Sequence, residues 1–127
     1  MGMNWLLVAL GGGLGSVLRY GAGLAAARWL GTAFPFGTLF VNVTGSFAMG
    51  VLVEFLARRY GGADANLRLL LATGVLGGYT TFSSFSLDFA TLAERGELAT
   101  AFVYLAVTIL AGLGALFAGL ALARQVF

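Results

Sequence analysis

The 127-residue chain contains no cysteine, no histidine and no lysine, and only one proline. Without cysteine there are no disulfides and no thiol chemistry; without histidine there is no imidazole base and no usual transition-metal ligand. Charge is also scarce, with seven arginines and five acids making up 9% of the residues while 60% are apolar. So few polar groups cannot coat a soluble globule of this size, and the mean hydropathy of +0.96 points the same way. The net charge of +2 comes from arginines, most of them at the ends of the spans, which suits membrane flanks and not nucleic acid.

Charge-free stretches run over Met1–Leu18, Trp29–Val53, Leu69–Leu87 and Leu98–Ala123. Each approaches or exceeds the roughly 20 residues a helix needs to cross hydrocarbon. The first has no basic flank before its apolar run and continues through Arg19 into more apolar sequence, so it reads as a mature helix and not as a secretory signal. The expectation is an all-α membrane protein, one domain over residues 1–127, with four transmembrane helices near 3–30, 35–57, 67–94 and 97–124. Turns are marked by Gly31, Phe34 and Pro35, by Gly61-Gly62-Ala63-Asp64, and by Arg95-Gly96-Glu97. Such short connections make neighbouring helices antiparallel. One side then holds Arg58, Arg59, Arg68 and Arg124 and the other Arg28 and Arg95, a bias weak enough to leave insertion in both orientations open.

Polar residues stand where lipid would reject them. Thr38, Asn42, Ser46, Gly50 and Glu54 are each four apart in the second span, and Thr100, Tyr104, Thr108 and Gly112 repeat the spacing in the last. Residues at this spacing share one helix side. Taken singly, a serine or threonine bonding back to its own helix explains each of them; two aligned stripes point to a pathway. The third span packs paired glycines and five serine and threonine hydroxyls into Gly74–Ser86. A break is expected at Gly77-Gly78, freeing carbonyls that a cation or a second chain would satisfy. Phe82 and Phe85 share a face beside Thr81 and Ser84, and an aromatic edge is electropositive enough to attract an anion. Arg19 keeps its proton and must snorkel, pair or face a watery vestibule. The spacings Gly11/Gly15, Gly74/Gly78 and Ser46/Gly50 let helix backbones approach closely.

A lining of amide, hydroxyl and ring edge with no carboxylate at mid-depth selects small anions. No acid relay or nucleotide-binding loop is present to drive transport, so conduction is expected to be passive. One chain of four spans is too slight to surround its own aqueous route, and partner subunits are expected to complete the wall.

Three blocks of sequence are also familiar: Gly11-Gly12-Gly13-Leu14-Gly15 through Arg19-Tyr20; Gly37-Thr38-Leu39 with Val41-Asn42 and Gly45-Ser46-Phe47; and Gly77-Gly78-Tyr79-Thr80-Thr81-Phe82-Ser83-Ser84-Phe85-Ser86. Together, and in this order along nearly the whole chain, they resemble the Fluc family of fluoride channels, also called CrcB proteins. The resemblance implies an antiparallel, dual-topology homodimer in a prokaryotic cytoplasmic membrane, with the third helix broken near mid-membrane and fluoride leaving the cell passively. It implies that Asn42 hydrogen-bonds fluoride, that Phe82 and Phe85 turn ring edges to it, that Thr81, Ser84, Tyr104 and Thr108 continue a polar track, and that Arg19 sits in the vestibule. It also implies a structural sodium ion on the dimer axis, held by the carbonyls of Gly77 and Thr80 from both subunits. Ser84 stands where many relatives carry threonine, and Thr108 where some carry serine, so the hydroxyl is kept. Two other readings compete. A small multidrug-type proton-coupled exchanger is expected to need an acid deep in its first span, which is absent here, and a non-transporting assembly subunit would leave the aligned donors unexplained.

Overall fold

A computed structural model describes residues 2–60 and 64–127. Every element among them is helical. Helix α1 covers Gly2–Leu30 and α2 covers Phe36–Tyr60. A third helical stretch comprises α3 (Ala65–Arg68), the π-helix π1 (Leu69–Leu76) and α4 (Gly77–Tyr79). It stops at Thr80 and Thr81, then resumes as α5 (Phe82–Glu94), and α6 (Leu98–Val126) ends the fold. Helices α1, α2 and α6 are long and apolar enough to cross a membrane. In hydrocarbon a helix is the conformation that satisfies its own backbone, which is why sequence with little amphipathic pattern folds this way.

Many of the large apolar side chains face outward. Trp5 and Trp29, near the two ends of α1, are 78% and 81% exposed. Along a helix their spacing amounts to about 36 Å, so each ring falls near an interfacial aromatic belt. Tyr104, Leu92 and Ala101 are fully or almost fully buried and form the core with Phe85.

Glycine sets how the long helices meet. A Cβ on Gly50 would lie 2.2 Å from Leu116 O, and one on Gly119 would lie 2.2 Å from Phe47 O, so α2 and α6 touch backbone to backbone. Helix α1 meets π1 and α4 in the same manner, with Gly11 against Leu70 O and Gly74, Gly15 against Val75 O, and Gly78 against Gly12 O.

The turns are made by capping. Gly96, at φ 80°, ends α5, with Gly96 N donating to Ala93 O and Glu97 N to Leu92 O, the paired bonds of a left-handed C-cap. Asp64 caps α3 by accepting from Leu67 N at 3.0 Å; the rest of the expected Gly61-Gly62-Ala63 turn lies outside the described residues. Arg58 and Arg124 both pair with Glu54, whereas Arg95 reaches Ala33 O in the α1–α2 turn. These charges thus gather at two ends of the bundle.

The interruption falls three residues beyond the expected position. Gly77 is helical, at φ −63° and ψ −37°, while Thr80 and Thr81 are extended, at ψ 157° and 120°. The helix cost of glycine is small beside the packing it permits. Gly78 is needed for the close pass of α1, where a Cβ would lie 2.5 Å from Gly12 O. The helix instead ends where Thr81 can cap the next one and Asn42 can take over its backbone bonds.

Candidate functional site

The polar side chains converge on Thr80 and Thr81. Asn42, on α2, bonds both backbone groups of Thr81: its Nδ2 donates to Thr81 O at 3.0 Å, and its Oδ1 accepts from Thr81 N at 2.7 Å. A side-chain amide carries both a donor and an acceptor, so it can replace the helical partners that extended backbone has given up. Thr81 Oγ1 in turn accepts from Ser84 N at 3.1 Å and caps α5.

These bonds divert two amides from their α-helical acceptors. Thr81 N would otherwise bond to Gly77 O, and Ser84 N to Thr80 O. The Gly77 and Thr80 carbonyls are therefore released from the helix ladder, and Gly77 is exposed on the single chain. Among the described residues no cluster of acids or other ligating side chains is placed to hold a metal ion. Carbonyl oxygens of this kind are the hard donors that suit an alkali or alkaline-earth cation. On the other side of the interruption α5 begins, and its first amides carry the positive end of the helix dipole.

A cavity of about 520 Å³ opens beside the interruption, lined by Asn42, Ser46, Thr80, Thr81, Phe82, Phe85 and Thr108 among others, with no charged residue in its wall. A second cavity, of about 250 Å³, is lined by Arg19, Thr38, Thr81 and Ser84 among others. Thr81 borders both. Arg19 is anchored at the second, with Nε donating to Gly78 O at 3.0 Å.

The two phenylalanines differ in setting. Phe82 is 78% exposed and Phe85 only 7%, yet their rings lie 5.7 Å apart and tilted by 59°. The Phe85 ring is backed by Tyr104 at 5.2 Å. Thr108 Oγ1 is buried without a hydrogen-bond partner; an unmet hydroxyl in so apolar a place costs about 1–3 kcal/mol and marks a point where a polar guest is wanted.

Of the residues singled out from sequence, Asn42, Thr81, Phe82, Phe85 and Thr108 surround one cavity, and Arg19 and Ser84 meet Thr81 at the other. Tyr104 lines neither. Its hydroxyl donates to Asp88 Oδ2 at 3.1 Å, and its side chain is fully buried. Sequence reasoning missed the bond between Thr44 and Tyr79, 2.9 Å across α2 and α4. Thr44 falls off the four-residue stripe that drew attention to its neighbours.

A model of the family described as "CrcB-like protein, Camphor Resistance (CrcB)" matches residues 6–120. The chain belongs to the CrcB family. Curated CrcB relatives agree along nearly their whole length. A protein of Hyphomonas neptunium named "Fluoride-specific ion channel FluC" is 54% identical over 124 residues, 98% of each chain. Proteins of the same name from Rhodospirillum centenum and Agrobacterium fabrum are 57% and 52% identical, covering 94% and 98% of this chain. With three helices able to cross hydrocarbon, this CrcB chain is a multi-pass bacterial membrane protein.

Proposed function

We propose that this chain is a fluoride channel, as its CrcB relatives are named, and that it lets the ion leave the cell down its gradient. It catalyses no reaction. The observation that carries the reading is the cavity at the interruption. It gathers an amide, several hydroxyls and two aromatic rings at the positive end of α5, with no charge of its own. Fluoride holds its water shell tightly, and donors fixed in place replace that shell without reorganising.

In this pathway Arg19 attracts the anion at the mouth, while Thr81 and Ser84 offer hydroxyls. Asn42 spends one N–H on Thr81 O and keeps the other for fluoride. Phe82 and Phe85 present ring edges, and the Thr108 hydroxyl supplies the next donor. Tyr104 belongs to the same pathway through its ring, which holds Phe85 in place. The segments α3–π1–α4 and α5 together make a third crossing, broken near mid-membrane, so that four crossings form one domain. Two such chains pack antiparallel as a dual-topology homodimer. A structural sodium ion between them is held by the Gly77 and Thr80 carbonyls; the diverted amides of Thr81 and Ser84 support this. When bound, the cation supplies charge compensation for carbonyls that lipid cannot satisfy.

The proton-coupled exchanger has little to recommend it, because Glu54 is paired with Arg58 and Arg124 and Asp88 with Tyr104. Efflux from liposomes holding the purified protein tests the reading. Fluoride is expected to leave quickly without any pH gradient and chloride to be retained; chloride release at the fluoride rate would overturn it.

A further inference from the structure

One turn of α2 matches the interruption residue by residue. Asn42 holds the Thr81 backbone. Gly45 leaves room for Thr80, since a Cβ there would sit 2.3 Å from Thr80 Cγ2 and 3.1 Å from the Tyr79 ring. Thr44 bonds to Tyr79, the last residue of α4, at 2.9 Å. The direction of that last bond follows from proton count. Thr44 has one hydroxyl proton and donates it to Phe40 O at 2.6 Å, so Tyr79 is the donor and Thr44 the acceptor.

We propose that Tyr79 is a positioning residue for the ion pathway: its hydroxyl, donated to Thr44, pins the near side of the interruption to α2 as Asn42 pins the far side. The released Gly77 carbonyl lies before these two pins, the Thr80 carbonyl between them and the start of α5 just beyond them. With only the Asn42 pin, the peptide can pivot about Thr81 and shift the donors facing fluoride. With both, Thr80 is held over Gly45. Tyr79 touches no ion itself; it acts through the backbone it anchors. The inference rests on the fluoride-channel reading for its functional consequence but not for the pin.

The test uses the full chain in Tyr79→Phe, Thr44→Val, the double variant, and Thr44→Ser, which keeps an acceptor. Two readouts are taken: amide hydrogen exchange of residues 80–84 in purified protein, and the ratio of fluoride to chloride efflux from liposomes. A membrane-embedded side-chain bond is worth about 0.6 kcal/mol, so Tyr79→Phe is expected to speed exchange about threefold and lower the efflux ratio about threefold. Thr44→Ser is expected to match the parent, and the double variant to be no worse than the worse single. Unchanged exchange in Tyr79→Phe, or losses that multiply in the double variant, would overturn the pin. Faster exchange with an unchanged ratio would overturn its role in the pathway. A parent protein that passes chloride as readily as fluoride would instead refute the channel reading, with the exchange result still deciding the pin.

Discussion

The third helical stretch is held from two sides by different physics. Against α1 the contact is mainly backbone on backbone, through Gly11, Gly15, Gly74 and Gly78, with one polar bond from Arg19 to Gly78 O. Against α2 it is made by named polar groups, Asn42 with Thr81 and Thr44 with Tyr79. The first kind of contact suits a medium with no hydrophobic drive between helices, where close approach and dispersion supply the attraction. It fixes distance but reads no particular atom. The second kind fixes one peptide against one side chain, as an ion pathway requires. The glycine side gives the fold its proximity, and the polar side aims the donors.

The largest effects are expected on the glycine side. A Cβ on Gly15 would lie 2.0 Å from Val75 O and 2.9 Å from Tyr79 N, both backbone atoms that cannot turn aside. Gly15→Ala is expected to destabilise the fold by about 3 kcal/mol, seen as loss of monodisperse protein on mild heating in detergent. Gly13 meets nothing within 4 Å, so Gly13→Ala is expected to be neutral or to stabilise by about 0.5–1 kcal/mol through helix propensity. Equal behaviour of the two variants would break the distinction between packed and merely frequent glycines.

On the polar side, Asn42→Ala removes both partners of the Thr81 backbone. It is expected to cost about 2 kcal/mol of stability, near 1 kcal/mol for each bond, together with most of the fluoride efflux. Asn42→Asp keeps an acceptor for Thr81 N but loses the donor to Thr81 O and brings a negative charge to the cavity. It is expected to recover part of the stability and none of the efflux. Recovery of efflux in Asn42→Asp would mean that Asn42 acts on the backbone alone and never on the ion.

How much of this was legible in the sequence depends on what each residue is read by. Apolar runs free of charge announce helices in lipid by themselves, because in that solvent a chain has few alternatives. Gly11/Gly15 and Gly74/Gly78 were legible as close-packing pairs for the same reason. The position of the interruption was not. Glycine's helix cost pointed to Gly77-Gly78, but the stop is set by a cap at Thr81 and a clamp from Asn42, 39 residues away in the chain. The four-residue stripe on α2 mixed two duties. Asn42 and Ser46 reach the cavity, whereas Gly50 packs on α6 and Glu54 meets Arg58 and Arg124. Spacing groups residues by face and does not say what the face meets.

Phe82 and Phe85 separate pathway from packing on the polar side. Phe82 is largely exposed on the chain and Phe85 buried against Tyr104. Phe82→Leu is expected to leave stability within about 0.5 kcal/mol while lowering fluoride efflux about tenfold, the upper range of what an aromatic edge contributes. Phe85→Leu is expected to lower efflux comparably and also to cost about 1 kcal/mol of stability through lost packing. Paired efflux and thermal-stability measurements distinguish them. Normal efflux in Phe82→Leu would remove the ring edge from the mechanism.

The smallest effect is expected at Tyr104, the residue whose sequence position and structural duty differ most. It sits in the α6 stripe with Thr108, yet its hydroxyl is spent on Asp88 at 3.1 Å and it lines neither cavity. Tyr104→Phe keeps the ring that backs Phe85 and removes this bond together with the hydroxyl's interaction with Thr38. Its stability cost should therefore be about 0.6 kcal/mol, with fluoride efflux changed less than about twofold, since the hydroxyl lines neither cavity and does not hold the interruption. Thr108→Val removes a hydroxyl that has no protein partner. It should reverse the pattern, leaving stability unchanged or slightly raised while lowering efflux more than Tyr104→Phe does. If Tyr104→Phe proved the more damaging to efflux, the hydroxyl would have to leave Asp88 for the ion during passage, and α6 would contribute two donors to the pathway instead of one.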